Sequence, residues 1–456
     1  MDLSIENVEK CLQYKTAEQR DVLKQFFTNP QRIDHSKKIV IFSTPSETGT
    51  SFFRVFEPMR VLWKHYRDEI NLIYTECLQP NHLKLANCII MHRAGNLHTH
   101  FTQAVKMWPK SEISPYVIHD VDDNEFNLPK THPMYDLWYS SEKDKMSIYS
   151  LKHSHCITTT TRKLQKTFKT LNPNVEIFKN QFDWELPQWN LDKEETRNEM
   201  LPEWKDKKDK IVIGWAGLTS HFEDIKRMHA CLKKIHDKYP QTVFVLAGMA
   251  LKDSSVEVIE DEYGNKKYKE IDSIAEEDKY ASRVARVYDD FDPKRIKLFD
   301  AVGLEEYAKF YTLFDISLAY IEHNTFNSCK SEIKVVESLH YGAIPVFSDY
   351  GGYQDYWRAV PSNLKQKHMC INSMFPKRWA DSIEHWVKEI IRLKVFQPSV
   401  MSTTEALTKP LREYTDLAYD LNEGAEDRLQ WLIEKTETHE ENQTNYIASI
   451  TTRKGV

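Results

Sequence analysis

Three residues in one short stretch have the types and spacing for phosphate and sugar chemistry. They lie in HNTFNSCKSEIKVVESLHYGAIPVFSDYGGY, residues 323–353. Lys330, Lys334 and Glu337 stand at i, i+4 and i+7, so a helix through them puts all three on one face. Two cations at a helix head attract a diphosphate. A carboxylate one turn on can accept from both hydroxyls of a ribose. Ser328 or Ser331 can cap the start of that helix, and Gly342 sits where a terminating glycine belongs. The same spacing also suits a solvated Lys/Glu stripe with an internal ion pair.

Further candidates lie upstream. In GWAGLTSHFEDI, residues 214–225, a strand runs into a glycine turn at Gly217 and then a helix. Ser220 and Glu223 have capping-box spacing, and His221 falls in the first turn, a second potential anion site. In YVIHDVDDNEFNLP, residues 116–129, a strand ends in His119, Asp120, Asp122 and Asp123. Clustered carboxylates can bind a metal, act as a base, grip sugar hydroxyls, or simply cap a turn. Arg54 is expected one turn into a helix after the loop TPSETGT. Arg162, Lys163, Lys166 and Lys169 follow the TTTT run and offer a basic face for phosphates, or a solvated helix surface.

The elements that must position these residues alternate. KKIVIFSTP, INLIYTE, NCIIMHR, YVIHDVDD and HCITTTT read as strands, with SFFRVFEPMRVLWKHYRDEI and TRKLQKTFKTL as helices between them. A second alternation begins at KIVIGWAGL and includes TVFVLAGMA, RIKLFDAV, FDISLAYI and AIPVFSD. This βαβα order implies parallel, doubly wound sheets. The expected divisions are an N-terminal helical extension over 1–36 and a first Rossmann-like domain over 37–190. A linker over 191–209, a second Rossmann-like domain over 210–374, and C-terminal helices over 375–456 crossing back to the first domain complete the chain. Its final 20 residues read as frayed.

Composition narrows the function classes. The 456 residues are 41% hydrophobic, enough for two or three cores, and the net charge of −6 argues against a generic polyanion binder. The charge is uneven: residues 1–190 carry 24 Lys+Arg and 22 Asp+Glu, against 38 and 46 in the remainder. Seven scattered cysteines form no CxxC pair, which suits a reducing compartment without a disulfide framework or structural zinc. The acidic N-terminus does not read as a signal peptide, and no apolar run approaches membrane-spanning length. The expected location is the cytoplasm.

Together these segments resemble the GT-B glycosyltransferases, specifically the retaining glycosyltransferase family four, in a phage or bacterial style. The resemblance covers most of residues 38–357. It implies an α/β fold of two Rossmann-like domains facing a cleft. It also implies transfer of a sugar from a nucleotide-diphosphate sugar, a UDP-sugar first among them, to an acceptor hydroxyl. Carried over, Glu337 would hold the ribose, and Lys330, Ser331 and Lys334 would lie near the diphosphate. Gly217 and His221 would line the opposite wall, and His119 or Asp120 would face sugar and acceptor. Many members have two glutamates separated by seven residues; Glu337 fits the second, but Cys329 stands at the first. No cofactor and no catalytic metal are expected. The favoured acceptor is a hydroxymethylated pyrimidine in DNA, contacted by Arg54, Asp122, Arg162, Lys163, Lys166 and Lys169. A glycan, a lipid-linked sugar or a protein is the runner-up. A sugar-nucleotide epimerase and a catalytically silent sugar-nucleotide-binding protein are the rival classes.

Overall fold

The computed structural model describes residues 3–29, 32–45, 49–93, 96–132, 134–140, 143–204, 209–249, 255–260, 266–271, 280–372, 374–396 and 399–453. Two sheets organise the chain. The first contains β1 (Lys38–Ser43), β2 (Ile70–Thr75), β3 (Cys88–His92), β4 (Tyr116–Val121), β5 (Cys156–Thr159) and β6 (Val175–Ile177). Its order is β2-β1-β3-β4-β5-β6, and every pairing is parallel. The second contains β7 (Ile211–Ala216) and β8 (Thr242–Met249). After the antiparallel hairpin β9 (Ser255–Glu260) and β10 (Lys266–Ile271) come β11 (Ile296–Asp300), β12 (Ile316–Ala319), β13 (Ile344–Ser348) and β14 (Cys370–Ile371). Its order is β11-β8-β7-β12-β13-β14, again all parallel. Central strands such as β7 and β13 are buried along their whole length. That is why they read as continuous apolar runs rather than alternating ones.

The chain forms two compact units, and they do not follow the expected boundaries. One comprises residues 1–190, 324–331 and 416–456; the other comprises 191–323 and 332–415. The stretch over 191–209 is not a free linker. Its helix Lys193–Met200 is fastened into the second unit, where Arg197 grips Asp315 through both carboxylate oxygens at 2.9 and 3.0 Å. Lys193 donates to the carbonyl of Tyr341 at 2.9 Å. Residues 324–331, expected with the second domain, pack in the first unit. Cys329 is buried with Val121, Leu151, Ile157, Leu164, Phe168 and Val175. Phe326 is buried with Leu128 and Trp138.

Several local expectations change. The helix expected after residue 50 begins as a short α-helical turn, Gly49–Ser51, and passes through a π turn over Phe52–Phe56 before the regular helix Glu57–Tyr66. Neither Ser328 nor Ser331 caps the helix that carries Glu337. That helix spans Ile333–His340 with Glu332 at its N-cap and no side-chain cap bond. Lys330 therefore precedes the helix and does not share its face with Lys334 and Glu337. Ser220 does not cap either, because a 3-10 turn over Thr219–His221 places His221 at the N-cap of Phe222–Lys238. Gly342 does adopt the left-handed conformation at φ +70° that stops a helix.

The C-terminus is not frayed through 453. The helix Ala425–Arg453 is pinned along the first sheet by side chains of its distal half. Glu440 accepts from Asn87 at 2.8 Å and pairs with Lys38; Gln443 accepts from the backbone N–H of Ser114 at 2.7 Å. Much of the charged insert near 251–290 lies outside the described residues. No described helix is long and apolar enough to cross a membrane.

Candidate active site

In the second unit the residues singled out around Gly217 and on the Ile333–His340 helix come together at the carboxyl end of β7. Open parallel sheets bind ligands at these strand ends. Gly217 follows β7, and a β-carbon there would lie 2.6 Å from the Trp215 ring and 2.7 Å from Lys334 Nζ. The ammonium of Lys334 sits 4.6 Å from the centre of the Trp215 ring, a cation–π contact. The missing side chain at 217 is thus what lets the ammonium reach the strand end. His221 stands beside the same ring, with centroids 5.8 Å apart, and its Nδ1 lies 2.7 Å from Asp224 Oδ2. The other oxygen of Asp224 accepts from the N–H of Glu322 at 2.7 Å. Asp224 thereby orients the imidazole.

Glu337 is 2% exposed, and its Oε1 accepts from the Tyr307 hydroxyl at 2.8 Å. Tyr311 is a second hydrogen-bond partner. Burial pushes the carboxyl up to about 7, although the two tyrosines and Lys334 pull the other way. The group is therefore poised between neutral acid and carboxylate near neutral pH. Trp215, Asp224, Tyr307 and Tyr311 were not singled out in the sequence. The i, i+4 spacing of the two tyrosines was the available signal, but it marks core as readily as site.

In the first unit Asp120 is the hub of a buried network. The π turn directs Arg54 inward, where Nε donates to Asp120 Oδ2 at 3.0 Å and Nη2 donates to Oδ1. His92 Nδ1 lies 2.9 Å from Oδ2, and Thr158 donates to Oδ1 at 2.6 Å. Burial works to raise the Asp120 pKa, but Arg54 and His92 outweigh it and hold the carboxyl well below its usual range. Such a carboxylate is a poor base and a good anchor. Arg54, expected at an acceptor, is engaged here instead. His119 neighbours Asp120 in β4, so its side chain points to the opposite sheet face, and it is fully buried.

Asp122 and Asp123 belong to a second cluster. Arg93, left-handed at φ +54°, reaches Asp122 at 3.3 Å, Asp123 at 3.4 Å and Glu125 at 3.7 Å. Lys330 closes the cluster on Asp123 at 2.9 Å. Burial, reinforced by Asp123 and Asp122, pushes Glu125 up to about 7 against the pull of Arg93. Ser331 accepts from Asn180 at 3.2 Å. Lys330 and Ser331, expected beside the diphosphate, are thus held by first-unit partners, whereas Lys334 is held in the second unit. Arg162, Lys163, Lys166 and Lys169 lie exposed on and just beyond the helix Arg162–Phe168, which Thr161 caps. No group of three or more His, Cys, Asp or Glu residues among those described could hold a metal ion.

Comparison of the sequence with protein-family profiles and with characterised proteins finds no match. Solved structures do match in shape. HepE from Anabaena, in complex with UDP and glucose, is 10% identical with a TM-score of 0.55, covering 87% of this chain and 100% of that one. A glycosyltransferase from Rickettsia africae is 10% identical at a TM-score of 0.54, covering 87% and 98%. An α,α-trehalose 6-phosphate synthase from Burkholderia multivorans is 9% identical at a TM-score of 0.54, covering 89% and 98%. With two parallel six-stranded sheets and flanking helices, the chain has the GT-B fold.

Proposed function

We propose that the chain is a retaining glycosyltransferase that uses a nucleotide-diphosphate sugar, with a UDP-sugar as the favoured donor. The observation that carries this is the Lys334 ammonium held at the end of β7 by Gly217 and Trp215, with Glu337 on the same helix. The ammonium would meet the diphosphate, and Glu337, exchanging its tyrosine partners, would accept from the ribose hydroxyls. Lys330 is spent on Asp123, so Lys334 takes the main phosphate role. In the reaction the bond from the anomeric carbon to the diphosphate oxygen breaks. The acceptor oxygen bonds to that carbon on the same face, and its proton passes to the departing phosphate. Neutralising the charge that develops on that phosphate is the protein's main contribution, and no metal or cofactor is required.

The favoured acceptor remains a hydroxymethylated pyrimidine in DNA, met in the cytoplasm through the exposed quartet Arg162, Lys163, Lys166 and Lys169. A base within a duplex would have to be flipped out. A glycan, a lipid-linked sugar or a protein is the alternative acceptor. One observation favours a second reading, a silent sugar-nucleotide-binding protein. Cys329, at the place of the first family glutamate, is buried in the core of the first unit rather than held with Glu337 in the second. Thermal shift against a panel of nucleotide sugars, then a labelled-sugar assay on modified DNA and glycans with and without EDTA, tests the proposal. Label on an acceptor with the donor's anomeric configuration supports it. Epimerised donor, or binding without turnover, refutes it.

A further inference from the structure

The first unit contains a cavity of about 40 Å³ beneath the face of its sheet, lined among others by Arg54, Asp120, Thr158, Phe178, Arg428 and Trp431. At roughly 10–15 Å³ per water, this is room for about three waters or one small anion. The charges around it do not balance. Arg54 is spent: it grips Asp120 through Nε and Nη2 and gives Nη1 to the carbonyl of Phe178. Arg428 has no such partner. Its Nη2 donates to the carbonyl of Lys179 at 3.1 Å and to Gln181 Oε1 at 2.8 Å, both uncharged acceptors. Its Nε is buried with no hydrogen bond; its compensation is the Phe178 ring, 5.2 Å from the guanidinium, and the charge of Asp120, which Arg54 already neutralises.

Three effects act against this cation. The residue is only 9% exposed, and two buried guanidiniums sharing one carboxylate leave a net charge that is costly to bury. Arg428 also sits in the first turn of a 29-residue helix, at the positive end of its dipole. Glu426 and Asp427 in that turn are exposed to solvent. Burial, with Arg54 adding repulsion, outweighs the attraction of Asp120 and lowers the guanidinium pKa to about 9.

We propose that the cavity binds one small monovalent anion, of halide or carboxylate size, against the Arg428 guanidinium. One negative charge brings the cavity to neutrality and relieves the buried cation. Its lining residues all belong to the first unit and none is among those proposed to hold the donor, so this site does not depend on the sugar-nucleotide reading.

Trp431 on the cavity wall supplies a reporter, because bromide quenches indole fluorescence on contact. The full chain is titrated with bromide at constant ionic strength, using gluconate as the excluded anion. The expected result is a saturable quenching component that chloride and acetate compete away. Trp431→Phe should lose it, Arg428→Met should lose it, and Arg428→Lys should keep it with weaker affinity. The melting temperature of the wild type should rise by at least about 2 °C in chloride or acetate over gluconate, with no such rise in Arg428→Met. Competition by chloride but not acetate identifies a halide site; competition by both identifies a general small-anion site. Linear, non-saturable quenching that is equal in wild type and Arg428→Lys overturns the proposal, even if Arg428→Met does not fold. So does saturable quenching retained in Arg428→Met.

Discussion

Glu337→Gln separates the charge of this buried group from its shape. The wild-type carboxyl has a pKa near 7 in the folded protein, against 4.5 as an ordinary glutamate. The folded state therefore binds more protons than the unfolded state between those values. Stability from this group is fully present below pH 4.5 and is lost as pH rises through about 7. Moving the carboxyl from 4.5 to about 7 corresponds to about 3 kcal/mol. Glutamine has the same shape and can still accept from Tyr307 and Tyr311, but it does not titrate. The stability of Glu337→Gln relative to wild type should therefore grow by about 3 kcal/mol between pH 4.5 and 8. Urea unfolding followed by tryptophan fluorescence at several pH values measures this. Glu125, also raised to about 7, titrates in both proteins and cancels in the difference. If the ribose is held by the ionised group, donor binding below pH 7 should release a proton in wild type and none in Glu337→Gln. Calorimetry in two buffers of different ionisation enthalpy reads that proton. A stability difference flat with pH would refute the burial argument, and equal proton release in both proteins would refute the ribose contact.

Three other perturbations test neighbouring claims. Gly217→Ala puts a methyl group where Trp215 and Lys334 Nζ now lie, so donor affinity should fall by roughly 10- to 100-fold, the worth of one charge-assisted hydrogen bond, as isothermal titration would show. Asp120→Asn leaves Arg54 without its counter-charge and should destabilise the first unit by about 3–5 kcal/mol in urea unfolding; a loss of activity with unchanged stability would instead make Asp120 a substrate contact. If DNA is the acceptor, each reversal among Arg162, Lys163, Lys166 and Lys169 that removes a phosphate contact should reduce the magnitude of the salt slope of binding by about 0.9, while donor affinity stays unchanged; DNA binding that ignores all four reversals would remove the quartet from the interface.

Much of the architecture was legible in the residues alone. Parallel strands buried on both faces must be continuous apolar runs, so β1, β3, β4, β7, β8 and β13 were readable locally. The short strands β6 and β14, of 3 and 2 residues, were not, because they are too brief to carry a period. Gly342 as a helix stop and Gly217 as a strand-end turn could be anticipated, since glycine obeys local rules; that Gly217 meets Lys334 could not. What a charged side chain faces is a different kind of property. Lys330, Lys334 and Glu337 share a spacing, yet the helix starts only at Ile333, leaving Lys330 with Asp123. Asp120 and Asp122 look alike in sequence, yet one is locked by Arg54 and His92 and the other is held by Arg93. Those outcomes depend on partners 28 to 207 residues away. Backbone pattern is set by neighbours along the chain, so the sequence by itself determined the alternation and the sheets. The electrostatic character of each site residue comes from long-range burial and pairing, and only the tertiary structure decided it.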